Sequence, residues 1–152
     1  MTISIRPATP SDARVLAEFN ALMAKETENR ELDPSLLQVG VESMFLDPSR
    51  GLYYVAEAGG TIVGQLMVTY EWSDWRNGTF WWIQSVYVEQ AFRGKGVFKT
   101  LYRHIESLAK DRKDVCGLRL YVEHDNTAAK ETYERLGMKK TSYEMYEIDF
   151  VL

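Results

Sequence analysis

The chain predicts a mixed α/β fold built on one central, mostly antiparallel sheet with a single parallel βαβ crossover. Three observations carry this reading. Segments that alternate apolar and polar with period two are interleaved with segments of helical period. Two turn signals, Gly59-Gly60 and Asn77-Gly78, join strands that must run antiparallel. An amphipathic stretch over residues 97–113 separates two strands, and a crossover of that length implies that they pair in parallel. With 152 residues, 45% hydrophobic and 26% charged, the chain suffices for one domain (1–152) with its own core.

Residues 3–6 alternate as a first strand. Thr9-Pro10-Ser11-Asp12 then reads as a helix start, with Thr9 as cap, Pro10 at the first helical position and Asp12 completing a capping box. Val15, Leu16, Phe19, Leu22 and Met23 follow at helical spacing, and a polar stretch over 25–33 ends that helix. Asp33-Pro34 starts a second helix with Leu37, Val41, Met44 and Phe45 on one face; Asp47-Pro48 and Gly51 stop it. Strands are expected over 52–57, 61–71 and 79–88, with a loop at 72–78 between the last two. A further loop at 89–96 leads into the crossover helix. A strand over 117–122, a short helix from Asp125 or Asn126 to Gly137, and a last alternating strand over 142–148 complete the order.

Composition narrows the function classes. The net charge of −4 argues against nucleic acid as a partner. No apolar run approaches the ~20 residues of a membrane span, and the opening residues lack the pattern of a signal peptide. A single cysteine, Cys116, makes no intrachain disulfide and suits a reducing, cytoplasmic setting. Two histidines and one cysteine form no metal-ligand cluster, so no metal is expected. His104 sits among charged neighbours on the crossover helix and reads as solvated, and His124 is a weak candidate base. The charge is unevenly spread: residues 93–113 hold seven basic side chains against Glu106 and Asp111, a local net of +5. The rest of the chain is correspondingly acidic and suits cationic partners.

The chemistry concentrates where the strand ending Val86-Tyr87-Val88 feeds the loop Arg93-Gly94-Lys95-Gly96 and the helix start Val97-Phe98. N–H groups at a helix N-terminus have no intrahelical partner, and the helix dipole favours an anion there. Glycines let a ligand approach the main chain closely, and Arg93, Lys95 and Lys99 add positive charge. The spacing matches neither the Walker loop nor the dinucleotide-binding fingerprint. A second segment, Asn126-Thr127-Ala128-Ala129-Lys130-Glu131-Thr132-Tyr133 running on to Gly137-Met138, follows the strand after the crossover.

Together these two motifs resemble the GNAT superfamily of N-acetyltransferases, which places Arg-Gly-x-Gly after its central strand and Asn-x-x-Ala-x-x-x-Tyr-x-x-x-Gly-Phe/Met after the next. The element order of the whole chain is similar, from Ile5-Arg6-Pro7-Ala8 onward. The resemblance implies a sheet with helices on both faces and strands that splay apart after residues 88 and 122. It implies acetyl-CoA as co-substrate, with its pantetheine arm on main chain around Val86, Tyr87 and Val88. The pyrophosphate would lie on the amides of Arg93, Gly94, Lys95, Gly96, Val97 and Phe98. Asn126 resembles the family asparagine near the pantetheine or bound amine, and Tyr133 the family tyrosine near the sulfur, a general acid for the departing thiolate. Phe98 departs from the family, which has Gly or Ala at that position. The strand over 79–88 reads Ile83-Gln84-Ser85, without the acid that many members use as base; Glu71, Asp74, Glu123 or a water chain are the alternatives.

A looser similarity to the diamine and thialysine acetyltransferase branch rests on Tyr70-Glu71-Trp72-Ser73-Asp74-Trp75. It implies a small amine acceptor, with Glu26, Glu28, Glu31 and Asp33 as a cation site. Acetylation of a protein N-terminus or lysine, and acyl-CoA sensing without catalysis, are the alternatives. Trp81 and Trp82 point to opposite faces of their strand. One is expected on a helix layer, the other at a substrate wall or at the two-fold interface of a homodimer.

Overall fold

The computed structural model describes residues 1–152, which divide into two compact units, Met1–Tyr121 and Val122–Leu152. In the first unit the elements run β1 (Ile3–Pro7), α1 (Ala13–Glu28), α2 (Pro34–Leu46), β2 (Leu52–Ala58), β3 (Thr61–Ser73), β4 (Gly78–Val88), α3 (Val97–Lys110) and β5 (Val115–Arg119). The strands form one sheet in the order β1-β2-β3-β4-β5, antiparallel throughout except for the parallel β4–β5 pair. The second unit holds α4 (Thr127–Arg135).

The sheet has a helix layer on each face. On one, Leu16 and Ala17 of α1 and Val41 of α2 pack with Tyr53 and Val55 of β2 and reach Met67 of β3. On the other, α3 lies close enough that a Cβ on Gly64 of β3 would come within 2.9 Å of Val97 Cγ1. Leu101 and Ile105 of α3 and Leu66 and Val68 of β3 are fully or almost fully buried there. His104 is half-buried, its ring 5.7 Å from that of Tyr54, and not solvated as its charged neighbours suggested.

Several boundaries move for identifiable reasons. β3 and β4 pair as far as Ser73 with Gly78, which shortens the 72–78 loop to a turn over Asp74–Asn77, with Asn77 at φ 47°. The crossover helix stops at Lys110, because Arg112 turns back on Asp114 with two hydrogen bonds of 2.9 and 3.1 Å. β5 therefore starts at Val115 and ends at Arg119. The strand expected over 142–148 does not form: these residues join no ladder, and their side chains are exposed. Alternation marks an extended segment, but a strand also needs an edge to pair with.

The capping box at Thr9 forms as the sequence suggests, on a short 3-10 turn ahead of α1. Asp12, 8% exposed, accepts from the Thr9 N–H at 2.8 Å and from both terminal nitrogens of Arg6 at 2.8 and 3.1 Å. Arg6 also donates to Glu57, so one guanidinium ties β1, β2 and the start of α1 together. The Arg6 bonds hold the Asp12 carboxyl below its usual range. Stability from a depressed carboxylate is complete above the unfolded pKa, near ~4, and is lost as pH falls through the folded value. Asp12→Asn should cost about 2 kcal/mol at neutral pH and make acid unfolding less steep below about pH 4; urea unfolding across pH 2–7 measures both.

Candidate functional site

β4 is built to leave β5. β5 pairs with it only where Thr79–Trp82 face Val115–Arg119. Beyond Trp82, residues 83–88 keep β3 on one side and have no strand on the other. The register against β3 jumps over the same stretch: Gln84 faces Met67, but Tyr87 faces Gln65, so Ser85 and Val86 bulge opposite Leu66. Ser85 has φ 50°, a left-handed conformation that costs a residue with a side chain roughly 1–2 kcal/mol.

That bulge is held from beneath. The fully buried Gln65 donates from Nε2 to the Ser85 carbonyl at 3.0 Å and to Asn20 Oδ1 of α1 at 2.8 Å. Asn20 Nδ2 in turn faces the Tyr53 hydroxyl at 3.4 Å. Neither Gln65 nor Asn20 stood out as functional from sequence. A glutamine inside the apolar run Ile62-Val63-Gly64-Gln65-Leu66-Met67-Val68 was the available signal, because a buried amide must find partners.

The end of β4 is tied down a second time. Arg93 donates to the Val88 carbonyl at 2.8 Å and to Glu26 Oε2 of α1 at 2.6 Å, with its guanidinium carbon 5.3 Å from the centre of the Tyr87 ring. The Tyr87 hydroxyl donates to Glu26 Oε1 at 3.4 Å, and its ring lies 4.9 Å from Phe19. Burial and the Glu26 charge push the Tyr87 phenol up. Arg93 thus fastens α1 to the loop.

The loop itself is open. Gly94 and Gly96 have φ 74° and 80°, and a Cβ on either would meet nothing within 4 Å. The first rung of α3 runs from the Thr100 N–H to the Gly96 carbonyl at 3.0 Å. The first-turn amides, those of Val97 and Lys99 included, thus lie outside the helix's own ladder. Lys95 Nζ sits 5.6 Å over the Phe92 ring. Phe98 is half-buried, its ring 6.2 Å from that of Tyr102 one turn on. The residues present fit a pyrophosphate: exposed glycines in a left-handed loop, a helix N-terminus and nearby cations.

In the second unit, Asn126 caps α4, its Oδ1 accepting from the Ala129 N–H at 3.1 Å. Tyr133 lies on the same helix, and burial pushes its phenol up. The helix ends in a Schellman arrangement, with the Met138 N–H on the Tyr133 carbonyl and the Gly137 N–H on that of Glu134. Structure thus joins Val86, Tyr87, Val88 and the 93–98 loop in one unit, and Asn126 and Tyr133 on one helix in the other.

The acids proposed as bases or cation ligands, Glu28 excepted, have partners. Glu71 accepts from Trp82 Nε1 at 3.1 Å and Arg119 at 2.6 Å, which lowers its pKa and makes it a weaker base. Asp74 accepts from the Trp75 N–H and Glu123 from that of Asp125. Glu26 pairs with Arg93, Glu31 with Lys25, and Asp33 caps α2. Trp81 is buried beneath Arg112, whereas Trp82 is half-buried on the opposite face. Cys116 is half-buried and unpaired, and no helix is long and apolar enough to cross a membrane.

Residues 16–138 match the model of the acetyltransferase (GNAT) family. The chain belongs to that family. This GNAT protein is 45% identical to a possible acetyltransferase from Clostridium difficile 630, each covering 100% of the other, with a TM-score of 0.91. Two more distant structures share the fold. One is a predicted acetyltransferase with acetyl-CoA from Clostridium acetobutylicum (16% identical, 99% and 97% covered, TM-score 0.78). The other is a ribosomal-protein-alanine N-acetyltransferase from Brucella melitensis biovar Abortus 2308 (20% identical, 98% and 99% covered, TM-score 0.79). No curated protein sequence matches significantly.

Gln65→Leu keeps the volume but leaves the Ser85 carbonyl and Asn20 Oδ1 without a donor. It should cost about 1–3 kcal/mol in urea unfolding and weaken CoA binding as well; an unchanged midpoint would show that the bulge holds itself.

Proposed function

We propose that this GNAT acetyltransferase moves the acetyl group of acetyl-CoA to a primary amine of a small molecule, with Tyr133 as general acid and the whole chain working as one domain. The observation that carries the cofactor assignment is the unpaired edge of β4 over 83–88, which runs directly into the glycine loop at the α3 N-terminus. An exposed strand edge offers main-chain groups to an amide-bearing arm, and the loop offers amides to phosphate. Val86, Tyr87 and Val88 supply the first; Arg93, Gly94, Lys95, Gly96, Val97 and Phe98 supply the second. Asn126 caps the helix that carries Tyr133 and so orients it. An unpaired Cys116 supports a reducing, cytoplasmic setting.

The proposed chemistry needs an unprotonated amine, a polarised thioester carbonyl and a proton for the departing thiolate. Main-chain N–H groups on the free edge are suited to the carbonyl oxygen. The raised Tyr133 phenol keeps its proton at neutral pH, as an acid must. The lowered pKa of Glu71 makes it a weaker base and leaves Asp74, Glu123 or a water chain to take the amine proton.

Isothermal calorimetry with CoA at low and high salt tests the loop. Gly94→Val and Gly96→Val should weaken binding at both salts, and Arg93→Ala should weaken it with a smaller salt dependence. Equal affinity across all three would remove the loop from the site. Single-turnover acetylation over an amine panel tests the acid. Tyr133→Phe should keep CoA affinity and lose ~10²–10⁴-fold in rate. The wild-type rate should fall only above the phenol's raised pKa. A Phe variant with the wild-type rate would assign the ring to packing.

A further inference from the structure

A cluster of charged and aromatic side chains lies where β5 leaves β4. Arg119 ends β5 and pairs in register with Trp82, the last residue of β4 that has a strand on both sides. Met67 of β3 packs against the α1–α2 layer, and Thr69 and Glu71 alternate onto the same face. Trp82 lies opposite Thr69 there, and its Nε1 donates to Glu71 Oε1 at 3.1 Å. Arg119 Nη1 donates to that same oxygen at 2.6 Å, so Glu71 Oε2 accepts from neither. The Arg119 guanidinium lies 3.6 Å from the centre of the Phe80 ring, which holds its plane, and that of Arg76 lies 4.9 Å from the same ring. The Trp82 ring is 6.1 Å from that of Tyr121.

We propose that the acceptor of this acetyltransferase is a primary amine that also carries a carboxylate, of amino-acid type, and that Arg119 selects it by binding the carboxylate. The proposal rests on acetyl-CoA lying along the free edge of β4. With the pyrophosphate on the 93–98 loop, an arm running from Val88 to Ile83 points its thioester end back toward Trp82. On the α3 face that place is closed, because Trp81 and Ile83 are buried. The acceptor therefore arrives on the other face, beside Trp82, Glu71 and Arg119. A guanidinium has five N–H donors and Arg119 gives one to Glu71, so a fork remains for a second carboxylate. Arg119 and Arg76 are the charges that act on Glu71, which sets two guanidiniums against one carboxylate. That balance attracts an anionic group and disfavours an acceptor whose charges are all positive, such as a diamine. The side chains of Arg119 and Glu71 are 26% and 43% exposed, so their pair contributes little to stability and stays within reach of a ligand. Glu71 Oε2 is left for an N–H of the acceptor, and the Trp82 and Tyr121 rings give its carbon skeleton an apolar wall.

Steady-state acetylation of amino acids and their decarboxylated counterparts tests this. The pairs are lysine and cadaverine, ornithine and putrescine, tryptophan and tryptamine, phenylalanine and phenethylamine. In at least one pair, kcat/KM for the amino acid should exceed that of its counterpart ~10–100-fold, the worth of a hydrogen bond to a charged group. Arg119→Gln should bring that ratio toward one, through a higher KM for the amino acid. Arg119→Lys, which keeps the charge without the fork, should retain a reduced ratio. Arg76→Gln, at an exposed turn residue, should lower the ratio in part and guards against loss of the fold in the Arg119 variants. The counterpart preferred in every pair, or a ratio that all three variants retain in full, overturns the proposal. Titration of the same wild-type protein with CoA separates the two readings. A chain that binds no CoA overturns the cofactor assignment and the proposal with it. A chain that binds CoA and acetylates none of the amino acids overturns the acceptor class alone.

Discussion

One strand has to do two incompatible things. Up to Trp82, β4 is a central strand with neighbours on both sides, and from Ile83 to Val88 it is an edge. An unbroken pleat would carry β5 along its whole length and bury the main chain that a ligand needs. The bulge at Ser85 and Val86 breaks that continuity, increases the local twist and re-aims Tyr87 toward α1. It is unfavourable by itself, because Ser85 sits in a left-handed conformation. Gln65 and Asn20 offset that cost with hydrogen bonds made in a dry interior, where they are strongest.

The rest of the binding face is placed by what surrounds the bulge. Gly64, one residue before Gln65, lets α3 approach the sheet so closely that its N-terminus opens beside the end of β4. Arg93 and Glu26 fix the same end from the opposite layer, through a contact 67 residues apart in sequence. The exposed pair is screened and contributes little to overall stability. Its role is geometric: it sets where α1 ends relative to the loop. The Tyr87 ring under the guanidinium and against Phe19 makes that corner rigid. A loop with two left-handed glycines needs such an anchor, because glycine supplies freedom and no restraint of its own.

Much of this was legible in the chain. Periodicity located four of the five strands of the sheet and α1, α2 and α3, because their apolar faces are packed; α4 followed from its start at Asp125 or Asn126 and its stop at Gly137. The turn at Gly59-Gly60 and the capping box at Thr9 followed from local chemistry. The glycine loop was visible because its left-handed backbone demands glycine, and the α4 motif was visible through its resemblance to the family pattern. The misses have a common cause. Glu71 and Glu26 looked available as a base and a cation ligand, yet each is paired with a group distant in sequence, which no local pattern displays. β5 was expected two to three residues late, because the Arg112–Asp114 turn that starts it has no strong sequence signature. Residues 142–148 alternate like a strand, but alternation specifies an extended chain and not the edge that would pair with it.

Amide hydrogen exchange with and without CoA tests the central claim, that the unpaired edge of β4 and the loop after it form one binding surface. The account predicts new protection at amides in 83–88 and in 94–99, appearing together and saturating at one CoA concentration. Protection confined to other segments, or appearing in the loop while the β4 edge exchanges as before, would contradict it.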